Sequence, residues 1–538
     1  MPAEVRSPIV DKGLLYLERE NQNYTSLASI SPCPKMEMQL PSFALTALFL
    51  LLPILLLLVK GTKRSKNSHV SKKMPPGPMQ LPFIGNLHQM VGSLPHHTLK
   101  KLADKYGPLM HLQLGELSTI IISSPKLAKE VLQSNSLAFA NRPQIIVARV
   151  MLYNSLGVTF SPYGDYWNQM RQLYIMELLG PKSTESFFRV MEDEISNMVM
   201  SIKESEGKPV VVIDEILKYL NSTISRASVG RLCKDQDALI LATREAASLA
   251  GVFNLADIFP SLKILQLLSG LKPKLDKLCK ILDDILDDII SNHEKTKNST
   301  AEEDIVDILL RLKNSNESRF PITNNNIKAI IFELAVAGTI TSAVATEWAI
   351  AEMLKNPRVM AKAQAEVRQA FERKKNIGVN DVQELKYLKL VIKESLRLHP
   401  PGPLLAPREC REECKIGDYI IPSGTVTITN AWAMARDPEY WNDPERFEPE
   451  RFYNSSIDFR GNDLELIPFG AGKRLCPGIN FAVTNIELLL AHLLYHFDWK
   501  LPGGISPEDL DMAERFGAAA SRKNELRLLP KTYAPSDV

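Results

Sequence analysis

The sequence predicts a mainly α protein with a few small β-sheets, set behind a membrane-spanning segment near its N-terminus. Three observations predict this. Apolar residues recur at three- and four-residue spacing through several long segments. β-like runs are few, short and confined to two clusters. One stretch of twenty residues, Leu40–Val59, carries no charge at all, which is the length needed to cross about 30 Å of hydrocarbon.

Taken in order, residues 1–35 are polar and mixed in charge. Met36-Glu37-Met38 directly before the apolar run reads as a natural start, so 1–35 are expected to be a non-native extension. The anchor spans 40–59, with Pro41 at its entrance and Pro53 inside it. The rival reading as a core helix is disfavoured because no polar face interrupts the run. A cleaved signal peptide would have a shorter apolar core and a small-residue cleavage site. Lys60, Lys63, Arg64, Lys66, Lys72 and Lys73 follow it, against Lys35 before it. That asymmetry puts everything downstream in the cytosol. Residues 60–78 form a basic, proline-rich hinge, because Met74-Pro-Pro-Gly-Pro78 stops a helix and favours an extended chain.

Residues 79–538 read as one domain, since no linker, repeat or low-complexity block divides them. Helical spacing marks Leu127–Ser134, Ser186–Glu204, Leu275–Asn292 and Met353–Phe371. A longer apolar helix over Ile327–Met353 is expected to be interrupted at Ala337-Gly-Thr-Ile-Thr-Ser342. Strands are expected at Leu109–Leu114, Thr119–Ser123, Tyr419–Ile421 and Val426–Asn430, with Pro422-Ser-Gly424 as the turn between the last two.

The net charge of +2 argues against nucleic acid as a partner. Six cysteines (33, 233, 279, 410, 414 and 476) show no disulfide framework and point to a reducing compartment. Cys410 and Cys414 have no second ligand pair at zinc spacing and are expected as free thiols in a surface hairpin. Of five glycosylation sequons (Asn23, Asn221, Asn298, Asn316, Asn454), only Asn23 would face the lumen, so they are read as chance.

Phe469-Gly-Ala-Gly-Lys-Arg474-Leu-Cys476-Pro-Gly478 carries the most chemical information. Cys476 ends a glycine-punctuated loop and precedes a new apolar helix from Ile479. Helix-start N–H groups and the helix dipole would favour its thiolate. Glycines at 470, 472 and 478 allow tight turns and close approach to a flat partner. Such a thiolate, beside Arg474 and shielded by Phe469, suits an axial ligand of haem iron. A phosphate loop fails on spacing, because Ile467 stands where its first glycine belongs and Arg474 replaces its Ser or Thr. The bland alternative is a buried free cysteine.

The pattern Phe469, Gly472, Arg474, Cys476, Gly478 resembles the haem-binding signature of the cytochrome P450 superfamily. The resemblance covers residues 74 to 530. Ala431-Trp-Ala-Met-Ala-Arg436-Asp-Pro438 and Phe516-Gly517 resemble the plant microsomal A-type clan in particular. It implies the family's α-rich triangular prism with small sheets, and haem b (iron protoporphyrin IX) held by Cys476. Glu394 and Arg397, at i and i+3 on one helix face, would join Arg451 in a buried ion network behind the haem. Trp167 and Arg171, at i and i+4, would reach the haem propionates with Arg408 and Arg474. Thr341 matches the threonine that guides protons to O₂, and Gly338 the glycine that lets the helix approach the iron.

One departure stands out. Ile340 occupies the place of the family's acid before Thr341, so the acid–alcohol pair lacks one member. Glu333 and Glu347 lie about two turns away and are no obvious substitutes. By family position the pocket walls would be Leu334, Ala337, Leu404, Leu405, Ala518 and Ala519, with the Phe139–Phe160 loop. None of the six is charged, which suits a bulky apolar substrate.

The favoured reading is a monooxygenase of an apolar plant metabolite, a terpenoid by family habit, in the endoplasmic reticulum membrane. No flavin or nicotinamide motif is present, so electrons would come from NADPH–cytochrome P450 reductase, with O₂ as the oxidant. The alternatives are a haem-thiolate isomerase or dehydratase needing no external electrons, and a non-catalytic haem-binding membrane protein.

Overall fold

The largest side chains wholly shielded from water include Trp348, Phe371 and Leu99 on helices and Ile120, Ile121 and Ile122 on a strand, so helices and one sheet share the interior. The computed structural model describes residues 74–230, 236–249, 254–262, 270–295, 303–315, 319–372, 374, 377–517 and 519–534. The expected N-terminal extension (1–35), the anchor (40–59) and the hinge up to Lys73 lie outside these, as do Cys33, Cys233, Asn23 and Ala518. Met74–Val538 form one unit of the chain.

Among the described residues the order is α1 (Pro95–Tyr106), β1 (Leu109–Leu114), β2 (Leu117–Ile122), α2 (Pro125–Lys129), α3 (Ile146–Met151), α4 (Asp165–Leu173) and α5 (Pro181–Glu204). Then come β3 (Val210–Val211), α6 (Val212–Val229), α7 (Gln236–Leu249), α8 (Leu255–Ile258), α9 (Leu271–Lys295), α10 (Ile305–Ser315), α11 (Asn324–Lys355), α12 (Pro357–Phe371), α13 (Val379–Val382) and α14 (Lys386–Leu398). Next are β4 (Arg408–Glu409), β5 (Cys414–Ile416), β6 (Tyr419–Ile421), β7 (Val426–Thr429) and α15 (Ala431–Met434). The chain closes with α16 (Ile479–His496), β8 (Phe497–Lys500), β9 (Glu514–Arg515), β10 (Ser521–Arg522) and β11 (Arg527–Thr532).

The strands form a four-stranded sheet in the order β1-β2-β7-β4, a three-stranded sheet β3-β11-β8, and two small pairs, β5-β6 and β9-β10. β1 and β2 pair antiparallel, with Leu109 opposite Ile122 and Leu114 opposite Leu117. Gly115 makes their tight turn at φ +57°, where a side chain would also strike Ile258. The expected turn at Pro422–Gly424 exists, with Gly424 at φ +80°. It joins two different sheets rather than one hairpin, because β6 pairs with β5 while β7 runs parallel beside β2.

α11 is the axis of the fold. A capping box starts it: Asn326 N–H donates to Thr323 Oγ1 (3.4 Å), and Thr323 N–H donates to Asn326 Oδ1 (2.9 Å). Such a cap contributes about 1 kcal/mol. The helix is apolar on nearly all sides because it packs against α6, α16, α14 and α12. It is long and apolar enough to span a membrane, yet two-thirds of that window is buried in protein. The expected interruption at 337–342 is absent: α11 runs through it unbroken. Gly338 is accommodated by packing, since a Cβ there would come within 2.9 Å of Ile224 Cδ1 on α6.

Other expectations are corrected in detail. Met353–Phe371 is two helices, because Asn356 leaves helical geometry before Pro357. The segment 127–134 is α-helical to Lys129 and then widens into a π turn over Glu130–Ser134. Cys410 is not at the surface; it lies in the core with Ile416, Ile421 and Phe139, and burial pushes its thiol up to about 12. Met74–Pro78 is extended but docked rather than free. His111 N–H donates to the Pro76 carbonyl (2.8 Å), Asn86 Nδ2 to that of Pro78 (3.3 Å), and Gly77 lies so close to the His111 carbonyl that no Cβ would fit.

Candidate active site

The loop before α16 is built on its glycines. Gly470 and Gly472 both take positive φ, +75° and +66°, where other residues are strained. At Gly472 a Cβ would fall 1.7 Å from the Leu132 carbonyl oxygen, so the π turn after α2 sits directly on the loop. Gly478 has ordinary φ and merely leaves space beside Cys476 Sγ. The loop closes when Cys476 N–H donates to the Phe469 carbonyl (3.1 Å). Phe469 packs on Phe459, with ring centroids 5.5 Å apart.

Cys476 then stands half-buried one turn ahead of α16. Burial pushes its thiol up; the Gly478 N–H and the nearby Arg171 guanidinium pull the other way and offset it in part. The helix start and the cation act in the expected sense, but desolvation outweighs them in the protein alone. A bound cation at the sulfur reverses that balance.

Around this loop lie four guanidinium groups: Arg142, Arg171, Arg408 and Arg474. Burial depresses Arg474 to about 8, with Arg142, Arg408 and Arg171 adding repulsion. Arg408 is pulled to about 9 by burial and by Arg142, and Arg142 to about 10 by burial. Arginine stays protonated in proteins, so these directions describe cations crowded together and short of an anion. Arg474 is held by three backbone carbonyls, Nε to Ala140 (2.7 Å), Nη1 to Val158 (3.0 Å) and Nη2 to Ser161 (2.6 Å). It also stacks 4.4 Å over the Trp167 ring. Arg408 donates Nη2 to the Ala471 carbonyl (2.7 Å), while its Nη1 is buried with no partner. Such an orphan donor marks a place for an acceptor.

Two expectations change here. Trp167 Nε1 donates to the Val158 carbonyl (2.9 Å), so the indole braces the loop instead of presenting a free donor. Arg142 was missed by sequence reasoning. Its Nε donates to Thr159 (3.0 Å) and its Nη1 to Ala406 and Pro407 (2.6 and 2.7 Å). The available signal was a single cation in the mostly apolar stretch between Phe139 and Ala148.

The ion network of Glu394, Arg397 and Arg451 is assembled in full. Glu394 and Arg397 are both 0% exposed. Arg397 grips the carboxylate with Nε and Nη2 (2.8 and 2.9 Å), and Arg451 Nε adds a bond of 2.9 Å. Glu448 N–H completes it (2.8 Å). Remaining guanidinium donors reach the Ala435, Pro444, Asn442 and Arg446 carbonyls. Arg451 lies in a 3₁₀ turn opened by Pro449.

On α11, Leu334, Ala337 and Thr341 are the accessible stripe of a helix otherwise mostly buried. Thr341 Oγ1 donates to the Ala337 carbonyl (2.6 Å). The space beside Gly338 is filled by Ile224, with Phe481 of α16 at 3.6 Å, so its smallness serves helix packing. Leu404 is 2% exposed and packs with Leu99, Leu112 and Ile121, which makes it core and not a pocket wall. Leu405 is half-buried at φ +51°, and Ala519 is buried. Phe139, at the start of the expected pocket loop, is also core.

The residues present fit a haem. A soft sulfur ligand stands free of a disulfide, four cations crowd together, and Arg408 Nη1 aims at no partner. A haem supplies two carboxylates and an iron.

Comparison with known proteins agrees. The cytochrome P450 family pattern matches residues 75–527. The chain is 55% identical to alstonine synthase of Alstonia scholaris over 93% of this chain and 99% of that protein. It is 54% identical to the sarpagan bridge enzyme of Gelsemium sempervirens over 93% and 99%, and 49% identical to premnaspirodiene oxygenase of Hyoscyamus muticus over 92% and 99%. Among solved structures, a zebra fish cytochrome P450 with progesterone matches the fold at TM-score 0.71 and 22% identity, covering 82% of this chain and all of that one. The chain belongs to the cytochrome P450 family, as a haem-thiolate monooxygenase of the plant A-type clan that uses O₂, a reductase and a hydrophobic substrate.

Proposed function

We propose that this protein oxidises a bulky, apolar, polycyclic plant metabolite, a terpenoid in the first instance, with electrons from NADPH–cytochrome P450 reductase at the endoplasmic reticulum membrane. The observation that carries the reading is the juxtaposition of Cys476 with an unbalanced arginine cluster whose Arg408 Nη1 is buried without a partner. Haem b, when bound, supplies the oxidising chemistry. Cys476 Sγ would hold its iron, while Arg171, Arg408 and Arg474, joined by Arg142, would hold its propionates through charge-assisted bonds. Leu334 and Ala337 offer the substrate an uncharged surface, so binding there excludes water and favours apolar surface.

Thr341 carries the hydroxyl of that stripe and is the residue proposed to pass protons. Its neighbour Ile340 has no ionisable group, so Thr341 Oγ1 exchanges its proton with water or with a substrate hydroxyl and not with a carboxylate. Relatives support the terpenoid reading through two names, premnaspirodiene oxygenase and 5-epiaristolochene 1,3-dihydroxylase. A second set of candidate substrates is favoured by the higher identity to alstonine synthase and the sarpagan bridge enzyme. Residues 40–59 are proposed as the single-pass anchor, with the catalytic body facing the cytosol.

Microsomes holding this protein with the reductase should convert members of a terpene panel, or the substrates of those last two relatives, only when NADPH and O₂ are both present. Turnover that persists without NADPH would sink the monooxygenase reading in favour of an isomerase or dehydratase. Cys476→Ala should abolish the red-shifted Soret band of the reduced carbon-monoxide complex. A variant that keeps the band would overturn the ligand assignment.

A further inference from the structure

Glu333 is a buried carboxylate in the middle of an apolar helix, two turns before Thr341, and the site described above does not use it. Its partners all lie outside α11. Val158 N–H donates to Oε2 and Thr159 N–H to Oε1, both at 2.8 Å. Tyr174 Oη donates to Oε2 at 2.6 Å. Gly157 completes the cradle: a Cβ there would sit 2.6 Å from Oε2. Gly157 does not have positive φ, so its own backbone does not call for glycine; the carboxylate does.

The residues this carboxylate grips by their N–H groups hold the arginine cluster by their carbonyls. Val158 C=O accepts from both Trp167 Nε1 and Arg474 Nη1, and Thr159 C=O accepts from Arg142 Nε. Ser161, two residues on, accepts from Arg474 Nη2. Glu333 is also the acid whose charge favours the Arg474 cation. A charge-assisted clamp on one side of a short segment therefore fixes the acceptors on its other side.

We propose that Glu333 is a positioning residue of the haem-propionate seat: it locks Gly157–Thr159 against α11 and thereby aims Trp167, Arg142 and Arg474. The proposal rests on the haem reading above and adds to it the element that couples the O₂-facing helix to the propionate side.

The test uses the full chain purified with its haem. Haem loss is followed as transfer to apomyoglobin, and the propionate bending band is recorded by resonance Raman. Glu366→Gln is the matched control, because Glu366 likewise accepts two backbone N–H groups, from Tyr387 and Leu388 (2.7 and 2.9 Å), outside the arginine cluster. Glu333→Gln should speed haem loss roughly tenfold, the loss of one charge-assisted bond, and shift the propionate band. Glu366→Gln should lower the unfolding midpoint and move neither readout. Tyr174→Phe should give a smaller change in the same direction. Gly157→Ala should speed haem loss in the parent and add nothing in a Glu333→Ala background, because the three atoms nearest to the added Cβ all belong to that carboxylate.

Haem loss and band in Glu333→Gln equal to those of Glu366→Gln would overturn the proposal. So would an additive effect of Gly157→Ala on Glu333→Ala. Should Glu333→Gln fail to fold, Tyr174→Phe and Gly157→Ala decide alone, unchanged readouts in both overturning it. A parent chain without haem would overturn the functional reading itself and this proposal with it, whereas a haem-loaded parent isolates the proposal.

Discussion

Two of the buried charge clusters among the described residues are built on opposite terms. Around Glu394 one carboxylate meets two guanidinium groups, Arg397 and Arg451, and their remaining donors find backbone carbonyls. Around Arg474 four guanidinium groups crowd together, and Arg408 keeps a buried donor without a partner. The first cluster is closed and the second is open. A closed network holds the fold whatever is bound; an open one is complete only with a ligand that brings the missing charge. Burial alone distinguishes nothing here, because both clusters are buried.

Breaking the closed cluster should have the largest effect. Glu394→Ala leaves Arg397 buried without its anion, which costs about 3–5 kcal/mol. Chemical denaturation should show that loss with or without haem, and expression should yield little folded protein. A Glu394→Ala chain as stable as the parent would end the claim that the network is structural.

Glu347 supplies an intermediate case, a buried acid with a backbone bond to Leu526 and the Arg522 charge nearby. Burial wins and raises it from 4.5 to about 7. The folded state is therefore favoured below about pH 4.5, and that advantage is lost as the pH rises through about 7. Glu347→Gln should flatten the stability profile between those values and add on the order of 3 kcal/mol at pH 8. Thermal unfolding of both chains across that window checks it; a parallel offset with no change of slope would refute it.

In the open cluster the effects on the haem-free and haem-bound protein should separate. Arg408→Met removes a crowded cation held by one hydrogen bond, so the haem-free protein should change by no more than about 1 kcal/mol. Haem loss should nevertheless accelerate about ten- to a hundredfold, the worth of one charge-assisted bond. Equal damage to both states would make Arg408 an ordinary structural residue.

The smallest effect is expected at the surface. Arg358 grips Glu450 through two bonds (2.6 and 3.0 Å) and is largely exposed. Arg358→Ala should cost at most about 1 kcal/mol and less in high salt. Urea denaturation at two ionic strengths would show it.

The sequence by itself determined the fold class, the ligand loop and the closed network. Much of this is local or periodic: β1 and β6 lie where short β-like runs placed them, and Gly470 and Gly472 of the Cys476 loop take the positive φ that glycine allows. Glu394 and Arg397 share a helix face at i and i+3, a spacing that an exposed pair would also show; the family resemblance is what joined them to Arg451 in a buried network. Tertiary structure decided what depends on distant partners. Leu404 and Phe139 look like pocket walls in sequence, but sheet packing buries them in the core. Gly338 matched the glycine that lets this helix approach the iron, and only the fold shows that Ile224 of α6 packs beside it. Met353–Phe371 kept one apolar period across Asn356-Pro357, so periodicity ran two helices together. Arg142, and the partners of Glu333, escaped notice because the contacts lie largely in backbone groups: the carbonyls of 159, 406 and 407 and the amides of 158 and 159. Every residue carries such groups, so no letter in the sequence marks them, and only the folded chain shows which ones a buried charge will meet.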